Sequence, residues 1–226
     1  VRGAGGVAPA PGGRSVVPGK GRGGAGGWGR GIAPRPGGGR GPASPAAYSP
    51  RTGLFYVSTN NFCMDFEAAE ATLIPGTPYI GVKNLPYTRG PGDYLGAFIA
   101  WDAATGRKVW EIREKYPLWS GVAVTGGDVV FYGTLDGWLK AADAQSGALL
   151  WKFKVGSGVV GAPITYRGPD GRQYVAVYAG IGGDWFLVAG DVRSDDPADV
   201  RTPPDFMPDL SRHTSQGGIV WVFALE

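Results

Sequence analysis

Cysteine, histidine and long apolar runs are scarce in this chain of 226 residues. A single Cys, Cys63, excludes an internal disulfide, and a single His, His213, argues against a His-based metal site or a Ser–His–Asp triad. No run approaches the roughly 18–20 apolar residues that a membrane-spanning helix needs. Val1 is not a start Met and no apolar region follows a charged one, so no signal peptide is visible. An exported protein whose start is missing is still allowed.

Acidic residues are absent from residues 1–45, which hold 17 Gly, six Arg and one Lys and therefore carry a charge of +7. The other 181 residues carry 15 basic and 19 acidic side chains, which amounts to −4. The positive sign of the overall net charge of +3 therefore comes from residues 1–45 alone. It gives no reason to predict nucleic-acid binding by the rest of the chain.

Residues 1–44 are predicted to be disordered, because Gly and Pro dominate and few side chains are available for burial. The segment has three interpretations: an RGG-like arm that binds RNA through its charge and Trp28, a flexible linker, or GC-rich codons read out of frame. The abrupt change to ordered-looking sequence at Pro45–Tyr48 favours the third. Residues 45–226 are predicted to form the folded part.

Short runs rich in Val, Ile, Tyr and Phe follow one another after residue 46, each bounded by Gly, Pro or Asp. Such runs predict an all-β fold without a long helix. Clear examples are Leu54–Val57, Asp128–Tyr132, Gln173–Tyr178 and Gly218–Phe223.

One element of eleven residues occurs twice, 41 residues apart, as Ala100–Trp110 and Ala141–Trp151. Both copies read A-x-D-x-x-[T/S]-G-x-x-x-W, which predicts a turn closed by Asp and Gly and followed by a strand that carries Trp. The offset is typical of a propeller blade and predicts roughly four blade-equivalents of ~40–45 residues, an open arc of a larger ring. Trp110, Trp151 and Trp221 are assigned to packing between blades.

The repeated element resembles the tryptophan-docking motif of PQQ-dependent (quinoprotein) alcohol dehydrogenases. The resemblance covers about residues 45–226, is closest to the lanthanide-type methanol dehydrogenases, and implies the C-terminal part of an eight-bladed β-propeller. The further runs that carry it are Pro45–Asp65, Gly96–Asp102, Trp119–Gly121, Gly127–Gly137, Ser157–Gly161, Tyr178–Asp191 and Gly217–Phe223.

The resemblance also implies the chemistry of the whole enzyme. Such enzymes hold PQQ between a Trp face and a disulfide of adjacent cysteines, with Ca²⁺ or a lanthanide ion on the quinone and an Asp as the base. The resemblance places all of these groups upstream, so no catalytic residue and no metal ligand is predicted on this chain. The acidic group Asp65, Glu67 and Glu70 is interpreted as a solvated loop. A small primary alcohol, a cytochrome c electron acceptor and a periplasmic location are implied, and a homodimer is allowed.

Four residues are predicted to meet the edge of PQQ: Asn60, Trp119, Gly183 and Asp184. The resemblance gives Asn60 and Trp119 side-chain hydrogen bonds to the cofactor and Gly183 a backbone contact, while Asp184 stands where the family often has Trp. Turn capping by Asn60 and a core position for Trp119 are the alternatives. The chain alone is expected to be inactive. The competing hypothesis is a non-catalytic scaffold of PQQ-like repeats, as in outer-membrane assembly lipoproteins.

Overall fold

The computed structural model describes residues 45–68, 75, 82–181, 207, 209–215 and 217–224, with only the backbone for 63–68, 82–88 and 211. These residues contain one 3₁₀ turn, Leu210–Arg212, and no α-helix, so the all-β prediction is confirmed. None of their helical segments could cross a membrane. The strands are β1 (Ala47–Ser49), β2 (Leu54–Asn60), β3 (Phe62–Ala68), β4 (Val82–Arg89), β5 (Gly96–Asp102), β6 (Arg107–Glu114), β7 (Val122–Val124), β8 (Val129–Gly133), β9 (Trp138–Asp143), β10 (Leu149–Lys154), β11 (Ile164–Arg167), β12 (Gln173–Ile181) and β13 (Gly217–Ala224).

Three antiparallel sheets follow one another along the chain. Blade 1 has the order β1-β2-β5-β6, blade 2 has β7-β8-β9-β10, and blade 3 has β11-β12-β13. Consecutive strands lie side by side, as in the blades of a propeller. The β3-β4 hairpin is inserted between the second and third strands of blade 1. The expected four blade-equivalents are therefore too many for the described part, because much of the chain length lies in this insertion and between β12 and β13.

The two copies of the repeated element form equivalent turns, as predicted. The Oδ1 atoms of Asp102 and Asp143 each accept hydrogen bonds of 2.8–3.1 Å from the backbone N–H groups two and three residues later. Gly106 and Gly147 close the turns with φ values of 67° and 73°, which a residue with a Cβ rarely adopts. Hydrogen bonds from the side chains of Thr105 and Ser146, followed by these backbone contacts, lower the pKa of Asp102 and Asp143 respectively.

The blades pack face to face in one repeated manner. We call the face that a blade turns toward the next blade its leading face, and the opposite one its trailing face. Because side chains alternate along a strand, Val130 and Tyr132 of β8 face blade 1 while Phe131 faces blade 3. The first interface buries Leu54, Tyr56, Phe98 and Ala100 against Val130, Tyr132 and Ala142. The second buries Phe131, Leu139 and Ala141 against Val175, Val177 and Ala179.

Trp110 joins blade 1 to the turn of the repeat in blade 2. Its indole N–H donates to the carbonyl of Ala144 at 3.1 Å, and a Cβ built on Gly147 would lie 2.8 Å from its ring. Trp151 holds the same register, since it pairs with Ala141 as Trp110 pairs with Ala100. Trp151 is nevertheless 39% exposed. The blade-packing assignment holds for both residues: Trp110 packs on blade 2, and the ring of Trp151 packs on Phe223 of blade 3 with the ring centroids 5.2 Å apart. Trp151 has no repeated turn against it in the described part of the chain.

Candidate functional site

The second strands of the three blades all end at one edge of the arc, which we call the site edge. Their last residues are Asn60, Gly133 and Ile181. The connectors that carry the chain from one blade to the next, residues 115–121 and 155–163, run along the same edge. Backbone contacts hold the connectors on the strand ends; for example, the N–H of Val159 donates to the carbonyl of Thr134 at 3.0 Å.

Asn60 is the residue of β2 that reaches the first connector. Its side-chain Oδ1 accepts a hydrogen bond of 2.9 Å from the backbone N–H of Leu118. Its Nδ2 group donates no hydrogen bond to any residue that the structure describes. The Leu118 contact fixes the orientation of the Asn60 amide, because Oδ1 can accept the N–H of Leu118 whereas Nδ2 can only donate. The amide therefore lies half-buried with its donor side available.

Gly96 explains how the first connector comes so close to the strand ends. A Cβ at this position would lie 2.4 Å from the carbonyl oxygen of Tyr116 and 2.9 Å from the nitrogen of Leu118. Only glycine allows this approach. The connector then delivers Trp119 directly after the residue that Asn60 holds. The structure therefore brings Asn60 to the site edge in hydrogen-bond contact with Leu118, the residue that precedes Trp119.

Trp119 is half-buried against a cluster at the site edge. The cluster contains the buried side chains of Leu95, Tyr116, Leu135, Met207 and Leu210, and Phe62 and Val160 also pack against it. Two of its members come from the region of the 3₁₀ turn, so residues 207 and 209–215 cover this part of the edge. The core alternative for Trp119 and its predicted place near a cofactor are both compatible with this position.

Asp209 fastens the 3₁₀ turn to the first connector. Its Oδ1 accepts a hydrogen bond of 2.8 Å from the hydroxyl of Tyr116, and its Oδ2 pairs with the ammonium group of Lys115. Lys115 and Tyr116 together lower the pKa of Asp209 to about 2. Burial, and then the Asp209 carboxylate, raise the pKa of Tyr116. His213 Nε2 lies 3.7 Å from the same carboxylate.

Two buried serines at the connectors were not assigned a role from the sequence. The hydroxyl of Ser120 accepts from the N–H of Gly133 at 3.0 Å and donates to the carbonyl of Gly121 at 2.6 Å. Ser157 repeats the arrangement: it accepts from Ile181 at 3.2 Å and donates to Ser215 at 2.6 Å. The Ser-Gly pairs at 120–121 and 157–158 were the signal in the sequence that could have revealed them.

Gly183 and Asp184 lie outside the described residues, as does Glu70, and only the backbone is described for Asp65 and Glu67. Within the described part, no three His, Cys, Asp or Glu side chains form a group that could hold a metal ion.

Comparison with known proteins identifies the family of this architecture. The PQQ_2 family model, described as outer membrane protein assembly factor BamB, matches residues 96–179. The lanthanide-dependent methanol dehydrogenase of Methylacidiphilum fumariolicum (strain SolV) is 51% identical over 203 residues, which are 87% of this chain and 33% of that protein. The quinoprotein ethanol dehydrogenase of Pseudomonas aeruginosa (strain PAO1) is 43% identical over 182 residues, 80% of this chain and 26% of that protein.

A solved structure of a europium-containing methanol dehydrogenase has the same fold over 80% of this chain, with a TM-score of 0.70 and 50% identity. That match covers 32% of the solved chain, and this chain spans between about a quarter and a third of the curated relatives named above. A partial propeller is the architecture that fits these proportions. The chain belongs to the quinoprotein alcohol dehydrogenase family and is one piece of its propeller.

Proposed function

We propose that this chain is the C-terminal portion of a PQQ-dependent alcohol dehydrogenase and forms one edge of its cofactor site. The whole enzyme would oxidise a primary alcohol, such as methanol or ethanol, to the aldehyde. The observation that carries the proposal is the oriented Asn60 amide beside Trp119 at the site edge. It is supported by relatives that are named methanol and ethanol dehydrogenases.

The chemistry of the described residues fits one edge of PQQ. The cofactor presents quinone and carboxylate oxygens, which are hydrogen-bond acceptors, and it supplies the hydride acceptor when bound. Asn60 offers Nδ2 as a donor because Leu118 already occupies its Oδ1. Trp119 would form part of the wall, and Asp209 would hold the connector that carries it. Gly183 and Asp184 are proposed to complete this edge, the former through its backbone.

This chain contributes neither the base nor the metal ligands in the proposal. Ca²⁺ or a lanthanide ion would be held by the part of the propeller outside this chain, as would the carboxylate that takes the alcohol proton. The role proposed for residues 45–226 is therefore to bind and orient. Residues 1–44 are proposed to be a separate segment, without a part in the site.

The scaffold hypothesis draws support from the BamB-type family model, which covers residues 96–179. This range contains both copies of the repeated element and Trp119. It leaves out Asn60 and the segment around Gly183. The dehydrogenase relatives match 80–87% of the chain, a range too long to leave those segments out. We therefore prefer the enzyme.

The partners of the whole enzyme follow from the same relatives. One of them is named methanol dehydrogenase [cytochrome c] subunit 1, from Methylobacterium organophilum, and is 40% identical over 185 residues. We propose a cytochrome c as the electron acceptor and the periplasm as the location. The comparisons do not support the homodimer that the resemblance allowed, and the proposal does not include it.

A chimeric enzyme tests the proposal. Residues 45–226 would replace the matching third of the Methylacidiphilum fumariolicum methanol dehydrogenase, and methanol oxidation would be measured with PQQ and a lanthanide ion. We expect the chimera to be active. Substitution Asn60→Asp keeps an acceptor for Leu118 but removes the donor, so activity should fall by roughly 10–100-fold, the effect of losing a hydrogen bond to a charged or polarised group.

The matched control is Thr59→Val, which removes only the hydroxyl that donates to the carbonyl of Ala97 at 2.9 Å. This variant should keep nearly full activity. An Asn60→Asp chimera that is as active as its parent would show that Asn60 caps a turn and does not touch the cofactor. A folded chimera without activity would contradict the proposed function itself.

A further inference from the structure

The first connector, residues 115–121, is held at two points by hydrogen bonds to distant parts of the chain. Near its start, the hydroxyl of Tyr116 donates to Asp209 Oδ1 at 2.8 Å. Two residues further along, the N–H of Leu118 donates to Asn60 Oδ1 at 2.9 Å. The two acceptors come from different elements, the region of the 3₁₀ turn and the end of β2. Asp209 and Asn60 therefore anchor the same short segment.

The two anchored residues of the connector are packed into different parts of the core. Tyr116 is 4% exposed and lies in the cluster at the site edge with Leu95 and Leu210, whereas Leu118 is fully buried between blades 1 and 2. Gly96 lies against both, since a Cβ there would come within 2.4 Å of the Tyr116 carbonyl oxygen and 2.9 Å of the Leu118 nitrogen. Because closely packed segments transmit small shifts, a displacement of Tyr116 is passed on to the Leu118 N–H.

The position of Tyr116 depends on Asp209. A buried hydroxyl needs a hydrogen-bond partner, because leaving it unpaired away from water is costly. Asp209 is the acceptor that the described residues provide for the Tyr116 hydroxyl. The same carboxylate pairs through its Oδ2 with Lys115, the residue before Tyr116. A contact across 93 residues of sequence therefore sets where the start of the connector lies.

We propose that Asp209 is a positioning residue, which acts through Tyr116 and the N–H of Leu118 to orient the Asn60 amide. The inference rests on the proposed function, since the Nδ2 group of Asn60 is the donor proposed for PQQ. With the connector in place, Leu118 occupies Oδ1 and the donor side of the amide is available to the cofactor. Without Asp209 the amide can rotate, because the N–H that fixes it is no longer held. Asp209 does not need to touch the cofactor itself.

Amide hydrogen exchange on the 226-residue chain tests the positioning step without any cofactor. Asp209→Ala removes the acceptor and Tyr116→Phe removes the donor of the same hydrogen bond. Either variant should make the Leu118 amide exchange roughly tenfold faster, because the connector opens more often. If one variant fails to fold by circular dichroism, the other still removes the bond.

Two further variants separate the hydrogen bond from a general loss of stability. Asp209→Asn keeps an oxygen that can accept from Tyr116, so it should retain most of the protection of the Leu118 amide. Tyr174→Phe is the matched control, because it removes another Tyr–Asp hydrogen bond, of 2.7 Å to Asp170, at the turn between β11 and β12. It should leave the exchange of Leu118 unchanged.

Equilibrium binding of PQQ tests the consequence, in the chimera with the Methylacidiphilum fumariolicum enzyme, prepared without cofactor and supplied with a lanthanide ion. Asp209→Ala and Tyr116→Phe should each raise the dissociation constant of PQQ by roughly 2–10-fold, the loss of one hydrogen bond. Asn60→Asp should raise it as well. In the Asn60→Asp background, Asp209→Ala should have no further effect, because residues that act through one contact are not additive. Tyr174→Phe should bind PQQ as the parent chimera does.

Three results would overturn the inference and leave the proposed function standing. Unchanged exchange of the Leu118 amide in the Asp209→Ala and Tyr116→Phe variants would show that other contacts hold the connector. Unchanged PQQ affinity in both variants, with a clear loss for Asn60→Asp, would show that Asp209 is structural only. Losses that multiply in the double variant would show that Asp209 does not act through Asn60. An Asn60→Asp chimera that binds PQQ as its parent does would instead contradict the proposed function, and the inference with it.

Discussion

The indole N–H of Trp110 in blade 1 donates to the carbonyl oxygen of Ala144 in blade 2 over 3.1 Å. The hydroxyl of Tyr56 donates to the same oxygen, also at 3.1 Å. One carbonyl of the repeated turn thus accepts two hydrogen bonds from the preceding blade, while Gly147 in that turn lies under the Trp110 ring. The repeat therefore works as a joint between blades, in addition to closing its own turn.

Because of this joint, we expect Ala substitutions at two glycines with similar backbone conformations to lower the unfolding free energy by different amounts. Gly147 (φ 73°) and Gly106 (φ 67°) both adopt left-handed conformations, but a Cβ on Gly106 meets no atom within 4 Å. Gly106→Ala should destabilise the chain by about 1 kcal/mol, the strain of the left-handed conformation. Gly147→Ala should cost about 1–3 kcal/mol more because its Cβ overlaps the Trp110 ring. Urea unfolding measures both.

In a Trp110→Ala background the difference between the two glycine variants should disappear. Equal free energies of unfolding for Gly106→Ala and Gly147→Ala in the unsubstituted chain would contradict the joint.

A buried ion pair is expected to hold the same interface. Lys140 donates to both carboxylate oxygens of Glu114 at 2.6 and 2.8 Å, and Tyr132 donates to one of them at 2.8 Å. Both charged side chains are less than a fifth exposed. Lys140→Met should destabilise the chain by about 3–5 kcal/mol because it leaves Glu114 buried without its partner. Adding Glu114→Gln should restore part of this loss.

The surface pair of Arg51 and Asp128, 3.1 Å apart with Arg51 64% exposed, is the control. Arg51→Met should cost less than about 1 kcal/mol. If thermal or urea unfolding gave similar losses for the Lys140 and Arg51 variants, the buried pair would have no special role.

Asp209 predicts a pH dependence of stability. Its pKa is about 2 in the folded chain, below the value of about 3.9 for an Asp in an unfolded one. A lowered pKa in the folded state means that the stabilisation is complete above about pH 4 and is lost as the pH falls toward 2. The unfolding free energy of the unsubstituted chain should therefore exceed that of Asp209→Asn at pH 5, and the gap should narrow on acidification. A gap that stays constant from pH 5 to pH 2.5 would argue against the carboxylate contacts.

Local signals in the sequence predicted the repeated elements well, because their physics is local. Asp102 and Asp143 bind the backbone of their own turns, and the alternation along β8 follows from the side-chain period of a strand. The expected four blade-equivalents are not reached in the described residues, because the β3-β4 insertion adds length without adding a blade. Composition cannot distinguish an inserted hairpin from part of the next blade.

Contacts between distant segments were the part that the sequence could not predict. Asp209 meets Tyr116 across 93 residues, and Ser157 meets Ser215 across 58. Neither pair has a spacing that a strand or turn requires. Asn60 was chosen through family resemblance, and the bond of its Oδ1 to Leu118 became visible only in the fold. The roles of Asn60 and Trp119 toward a cofactor stay predictions.

The segment before residue 45 is expected to lack packed structure. The Methylacidiphilum fumariolicum alignment, at 87% of the chain, extends into this segment, because residues 45–226 are 182 of the 226 residues. An alignment that continues before residue 45 counts against the out-of-frame interpretation of that part of the segment. The prediction of disorder rests on composition, which disfavours burial. Hydrogen exchange on the whole chain should show fast-exchanging amides up to residue 44 and slow ones in β8 and β9. Slow amides before residue 44 would contradict the division of the chain.

The most direct test of the proposed role is turnover by the chain itself. Hydride transfer from an alcohol needs a base near the hydroxyl and an ion on the quinone oxygens, and the proposal assigns both to the absent part of the propeller. Dye-linked oxidation of methanol and ethanol would be measured with the purified 226-residue chain, PQQ, and either Ca²⁺ or a lanthanide ion. We expect no turnover above the protein-free background. Turnover that disappears when PQQ is left out would show that the chain holds the catalytic groups we place elsewhere.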